Sequence, residues 1–212
     1  MGYRWLLRWQ HPGPMPGRQV FETICAALET YKTANRRRWA VHNAMLRVGQ
    51  VETALGLREA GGHSVDLQLV TFHDTPELTY LLVRQAGKVM EADKAVVDIL
   101  TKVTPYKARA TLHFDGWAYN VGDFNVRVGK VTLRPREEFK GFMVEVEYTP
   151  VSTAEQATPA LQEFMEMLQT ATSGPGGSLA LVAAPLDDFA LPPAFSPQHL
   201  AVQYSTLSAA LL

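Results

Sequence analysis

The chain of 212 residues holds a single cysteine, Cys25, which excludes an internal disulfide and any cysteine-only metal site and suits a reducing compartment. An excess of charge is missing as well. Twenty Lys and Arg stand against 21 Asp and Glu, a net charge of -1, so the chain lacks the basic surplus that draws proteins to nucleic acid backbones, and no direct sequence-specific nucleic acid binding is expected. No apolar run approaches the roughly 20 residues that span a bilayer. The opening MGYRWLLRWQ is broken by Arg4 and Arg8, unlike a signal peptide, and Leu6 occupies the place where a myristoylation motif wants Ser or Thr, so no membrane attachment is expected. Signatures of chemistry are absent too. The six histidines show neither HxH nor HxxxH spacing, no G-x-S-x-G elbow exists, and Gly174, Gly176 and Gly177 are not followed by the Lys-Ser/Thr of a phosphate loop. We therefore expect no catalytic residue, no cofactor and no metal.

What is present is enough apolar residue, 47%, to build a full core in one domain. Tyr3, Trp5, Leu7 and Trp9 alternate with Arg4, Leu6, Arg8 and Gln10, predicting a strand with an aromatic buried face and a cationic wet one. Val20, Ile24 and Leu28 then predict an amphipathic helix. Further strands are predicted around Trp39–Met45, over 65–72, over 78–84 and over 110–117. A helix over 93–103 is expected to turn Val96, Ile99 and Leu100 inward, and Pro105 stops it. Gly116 offers a bend at which Trp117, Tyr119 and Val121 change face. Thr158-Pro159 reads as the N-cap and first residue of another helix.

The most patterned stretch is 119–151. Phe124, Val126 and Val128 alternate with Asn125, Arg127 and Gly129. After a charged loop, Phe142, Val144, Val146 and Tyr148 alternate with Met143, Glu145 and Glu147, which predicts a β-hairpin with one buried and one wet face. The fold class that follows is α+β: a strongly curved, closed or nearly closed antiparallel β-barrel-like sheet with helices packed outside. It forms a single barrel-like domain over 1–212, with a variable loop at 50–62, a Gly/Pro-rich connection at 171–198 and a C-terminal helix at 199–212.

Three groups of residues could carry function. Glu145 and Glu147, two apart on a strand, point the same way and could hold a divalent cation; a metal-dependent triphosphate-hydrolysing tunnel-type enzyme is the alternative they raise. A second glutamate pair is missing, so a solvated outer face is the expected reading. Arg36-Arg37-Arg38 reads as a solvated turn at a helix C-terminus. Trp117 and Tyr119 either enter the core or serve as aromatic anchors of a partner interface. His42 and His113 are expected as hydrogen-bonded strand residues in or near the core, and His73-Asp74 as turn chemistry.

The D-F-x-V-+-V-G-x-V-T strand at 123–132, closing with V-E-V-E-Y-x-P at 144–150, resembles the subunit 20 family of the Mediator complex. The segments LVTFHDTPELTYLLV, EADKAVVDIL and PALQEFMEMLQT and the ending AVQY follow in the order of that family. The resemblance implies a non-enzymatic nuclear adaptor that supports regulated RNA polymerase II transcription. It also implies a direct heterodimer with the related barrel of Mediator subunit 18, contact with subunit 8 through it, and a place in the head module.

Overall fold

The computed structural model describes residues 1–11, 13, 17–30, 36–48, 66–102, 106–172 and 176–212. The predicted 50–62 loop, Pro105 and Gly174 lie outside the described residues. In chain order the elements are β1 (Tyr3–Gln10), α1 (Gly17–Glu29), β2 (Arg37–Val48), β3 (Leu67–Phe72), β4 (Leu78–Val83), β5 (Lys88–Asp93) and α2 (Ala95–Lys102), followed by β6 (Tyr106–Val121), β7 (Phe124–Arg134), β8 (Glu138–Tyr148), α3 (Ala154–Ala171), β9 (Ser178–Leu181) and α4 (Pro197–Leu211). Among the described residues, no helix is long and apolar enough to cross a membrane.

The strands form one nine-stranded sheet in the order β5-β4-β3-β2-β6-β7-β8-β1-β9, with antiparallel pairing throughout. No ladder joins β5 to β9, so the sheet is open and is not curled into the expected barrel. The reason lies in α4. This helix packs on β1, β2, β3, β4 and β5 across one face of the sheet, where a closed barrel would have its lumen. A helix about 10 Å across with its side chains must be accommodated there. The expectation that all helices pack outside is corrected with it. Residues on every side of α4 are buried, among them Leu200, Gln203, Tyr204, Ser205 and Ser208.

The opposite face carries the other three helices. Val20, Ile24 and Leu28 of α1 and Ala157, Leu161, Phe164 and Leu168 of α3 meet Leu7, Trp9, Val126, Val128, Val144 and Val146 in one apolar cluster. Val97 and Leu100 of α2 pack with Leu46, Leu67 and Leu69. Ile99 was expected to face inward with Leu100, but it is 52% exposed: α2 has two turns and meets the sheet along a narrow stripe.

Other predicted boundaries shift for local reasons. No bend occurs at Gly116. β6 runs unbroken through it, and an added Cβ would lie 2.0 Å from the Val128 carbonyl oxygen. The glycine answers to close strand approach rather than to a change of direction. Helix α3 begins at Ala154, so Pro159 sits in its second turn, and the Thr158 hydroxyl donates to the Ala154 carbonyl at 2.7 Å instead of capping. The edge strands β5 and β9 were not anticipated. KVMEAD is exposed on most positions, and β9 lies inside the Gly/Pro-rich connection, so neither carries the burial periodicity that marks a strand.

Candidate functional site

Glu145 and Glu147 are not solvated. They are 1% and 6% exposed, because the face expected to be wet is the one α4 covers. The ladders supply their partners. Arg127 of β7 lies opposite Glu145, and Arg4 of β1 lies opposite Glu147. Arg4 donates through Nη1 to Glu145 Oε1 at 2.7 Å and through Nη2 to Glu147 Oε2 at 3.1 Å. Arg127 donates to the same Glu145 Oε1 at 2.5 Å and also pairs with Asp74, in the β3–β4 turn. From α4 the Tyr204 hydroxyl donates to Glu145 Oε2 at 2.8 Å. Glu147 further accepts from the Gly2 backbone N–H at 2.9 Å and from Asn125 Nδ2 at 3.1 Å. Arg4, expected on a wet face, is 8% exposed.

Burial pushes the Glu145 carboxyl up, but the Arg127 and Arg4 guanidiniums, together with the Tyr204 and Arg127 hydrogen bonds, pull harder, and the net shift is downward. Burial, with the neighbouring Glu145 charge, drives the Tyr204 phenol well above its ordinary value. Glu145 is thus a carboxylate held charged inside the protein, and Tyr204 a neutral donor to it.

This geometry answers the enzymatic alternative. Oε1 of Glu145 is held by two guanidiniums and Oε2 by a phenol, so the carboxylate presents no open position to an incoming cation or phosphate. Among the described residues, no group of three His, Cys, Asp or Glu is placed to hold a metal ion. What the cluster does is tie β1, β7, β8, the β3–β4 turn and α4 to one another. Sequence reasoning missed Arg4, Asp74, Arg127 and Tyr204 as its members. The available signal was the placement of Arg4 and Arg127 among the apolar residues of β1 and β7, in a chain whose β8 carries paired glutamates.

Trp117 and Tyr119 do share the face opposite Leu112 and Phe114, and they part there. Tyr119 is 1% exposed beneath α1, its hydroxyl 3.4 Å from Glu29 Oε1. Trp117 is half-buried, with the guanidinium carbons of Arg36 and Arg38 at 4.4 and 4.2 Å from its ring centroid. The basic run is therefore organised on an aromatic ring, not merely solvated. Beside it an open groove of about 670 Å³ runs between α1 and the sheet, lined by Phe21, Cys25, Arg38, Trp117, Phe139 and Phe142 among others. His42 and His113 are paired across β2 and β6 and stack at 4.2 Å. They line an uncovered stretch of this face, with His42 exposed, and the expected core position is corrected.

Fold and cluster together define an architectural α+β protein whose buried charges hold its own elements in place. The chain belongs to the family described as the TATA-binding related factor (TRF) of subunit 20 of Mediator complex, which matches residues 1–208. It is accordingly a Mediator subunit and not an enzyme. It is 29% identical over 219 residues to Mediator of RNA polymerase II transcription subunit 20b of Arabidopsis thaliana, covering 100% of this chain and 96% of that one. A shorter similarity, 31% over 71 residues and 32% of each chain, relates it to subunit 20 of Aedes aegypti. Among solved structures, a chain of the Schizosaccharomyces pombe Mediator head module is similar over 80% of this chain and 96% of that one, at 16% identity and a TM-score of 0.47.

Proposed function

We propose that this chain works in the nucleus as the subunit 20 component of the Mediator head module, an adaptor that supports regulated RNA polymerase II transcription through contacts with other polypeptides. In this reading it pairs directly with subunit 18 and reaches subunit 8 through it. The observation that carries the reading is the family match over nearly the whole chain. The structure supplies a compatible exterior: an apolar groove whose rim holds a half-buried tryptophan with two arginine guanidiniums over its ring, the residue types that anchor protein interfaces. Trp117 is the anchor in this reading, whereas Tyr119, buried under α1, lies outside the interface.

Co-expression of the tagged chain with subunits 18 and 8 of the same organism tests this. The three are expected to co-elute as one complex, and Trp117→Ala to weaken the pairing without lowering the melting temperature by more than a few degrees. Elution of this chain alone, with subunits 18 and 8 folded and paired to each other, would overturn the direct pairing.

A further inference from the structure

One stretch of the sheet has no cover among the described residues. On the face shared by α1, α2 and α3, helix α1 packs on β7, α2 on the beginning of β6, and α3 on β8, β1 and β9. Between α1 and α2 the central strands present Arg38 and His42 of β2, His113 and Asp115 of β6, and Lys130 and Thr132 of β7, in register. None of these side chains is buried. Two openings of this face flank the strip: the groove beside α1, and a second of about 610 Å³ beside α2, lined by Ala40, His42 and Thr71 among others.

The occupant can be argued from hydrogen bonding and charge. Backbone groups of central strands are already spent in ladders, so an added strand would find nothing to pair with. A helix brings its own backbone bonds and is the element that covers a sheet face elsewhere in this fold. The carboxylates near the strip are engaged: Asp115 with Lys130 at 3.5 Å, Glu29 with Arg36 at 3.0 Å, and Glu137 with Arg134, and Glu22, which lines the groove from α1, is not free either. Arg38 has no carboxylate partner among the described residues and is held in place on the Trp117 ring. A second copy of the same strip offers Arg38 no free carboxylate, since Asp115 is taken by Lys130 and Glu29 by Arg36, which disfavours self-association through this face. The groove is lined by Glu22, Glu29 and Asp115 as well as by Arg36, Arg38 and Lys130, so it has no basic surplus with which to hold the phosphates of nucleic acid.

We propose that this strip, from the groove at Trp117 across to His42, is the docking site for an acidic amphipathic helix of a neighbouring protein subunit. A carboxylate of that helix meets Arg38, and its apolar side chains settle against Trp117, Phe139 and Phe142. The proposal rests on the reading of the chain as a subunit held by other polypeptides, and adds where one of them lies and what chemistry it carries.

The test titrates the full chain with two synthetic amphipathic helices of about four turns, sharing one leucine stripe but carrying either glutamate or lysine on the polar face, and follows backbone amide shifts by NMR. The glutamate peptide is expected to bind about tenfold more tightly, moving the amides of Arg38, His113 and Lys130, and Arg38→Glu to reverse the preference. Arg38 is exposed, so the variant is expected to keep its melting temperature. Equal binding, shifts confined to other faces, no binding of either peptide, or tighter binding of duplex DNA would each overturn the proposal. A second measurement separates it from the assembly reading: a photo-crosslinker at Thr132 in the reconstituted head module. A crosslink into an acidic helix of another subunit supports the site, whereas a crosslink into this chain's own residues, or none while the chain co-purifies, overturns it. Were the chain to stay out of the module altogether, the assembly reading would fail and the peptide titration would still decide the docking site.

Discussion

The two faces of β8 make a sharper contrast than any two elements of the fold. Val144 and Val146 look into hydrocarbon: Leu7, Val126 and Val128 from the sheet, closed over by the amphipathic stripes of α1 and α3. Such a face is held by area removed from water, which is non-directional and tolerates small sliding. One residue along, Glu145 and Glu147 look toward α4, where aromatic packing and ion pairs are mixed. Tyr204 meets Phe114 at 5.0 Å and Phe72 at 5.9 Å between ring centroids while its hydroxyl reaches Glu145. Asn43 donates to Ser208 at 2.7 Å, and Gln203 to the Arg4 carbonyl at 3.3 Å. These bonds have directions and lengths, so they set which turn of α4 lies over which strand. The lesson is a division of labour: one face supplies adhesion, and the other specifies position at a desolvation cost.

The largest expected effect tests that division directly. Arg127→Met leaves Glu145 buried with part of its compensation gone and is expected to cost about 3–5 kcal/mol of stability by urea unfolding at pH 7. The sign of its pH dependence follows from the shift. Glu145 has a folded value depressed below 4.5, so its contribution is present above that value and is lost as pH falls through the folded one. In the variant the downward pull is weaker and protonation is easier, so the gap between variant and wild type narrows below about pH 4.5. Leu7→Ala, on the other face at 0% exposure, is expected to cost about 2–5 kcal/mol and to show a gap that does not change with pH. A gap for Arg127→Met as flat as that for Leu7→Ala would mean that Glu145 is not charged in the folded protein.

The same contrast explains what could be read in advance. The apolar face was legible because each of its strands and helices carries its own period: Val20, Ile24 and Leu28 lie at helical spacing, and Phe124, Val126 and Val128 at strand spacing. The hairpin register follows from that alternation. The α4 face was not legible because its period says the opposite of the truth. V-E-V-E is the pattern of a half-solvated strand, and only tertiary placement of a helix more than 50 residues later, with Arg4 and Arg127 brought in by pairing, makes those carboxylates interior. Helix α4 itself has polar residues on every side, so nothing in its spacing marks it as the most enclosed helix. The closed barrel failed for the same reason, since α4 lies across the face that was expected to close on itself. Trp117 and Tyr119 were placed on one face by strand parity. Which of them reaches the surface depends on where α1 ends, and periodicity does not report that.

The smallest expected effect probes how closely the α4 face is packed where it is not ionic. Gly129 stands on β7 two residues beyond Arg127, and a Cβ there would lie 2.6 Å from the Trp39 ring and 3.2 Å from Met143 Sδ. Trp39 is 4% exposed and its ring lies 6.4 Å from that of Tyr204, so it cannot retreat without pressing on the helix that carries the cluster's phenol. Gly129→Ala is therefore expected to cost about 1–3 kcal/mol by overpacking, read as a lower urea midpoint. Adding Trp39→Phe makes room for the methyl group and is expected to recover part of that loss, although Trp39→Phe alone destabilises. Additive losses in the double variant would show that the ring already has space to move, and that α4 is positioned by its polar contacts without help from close packing beside them.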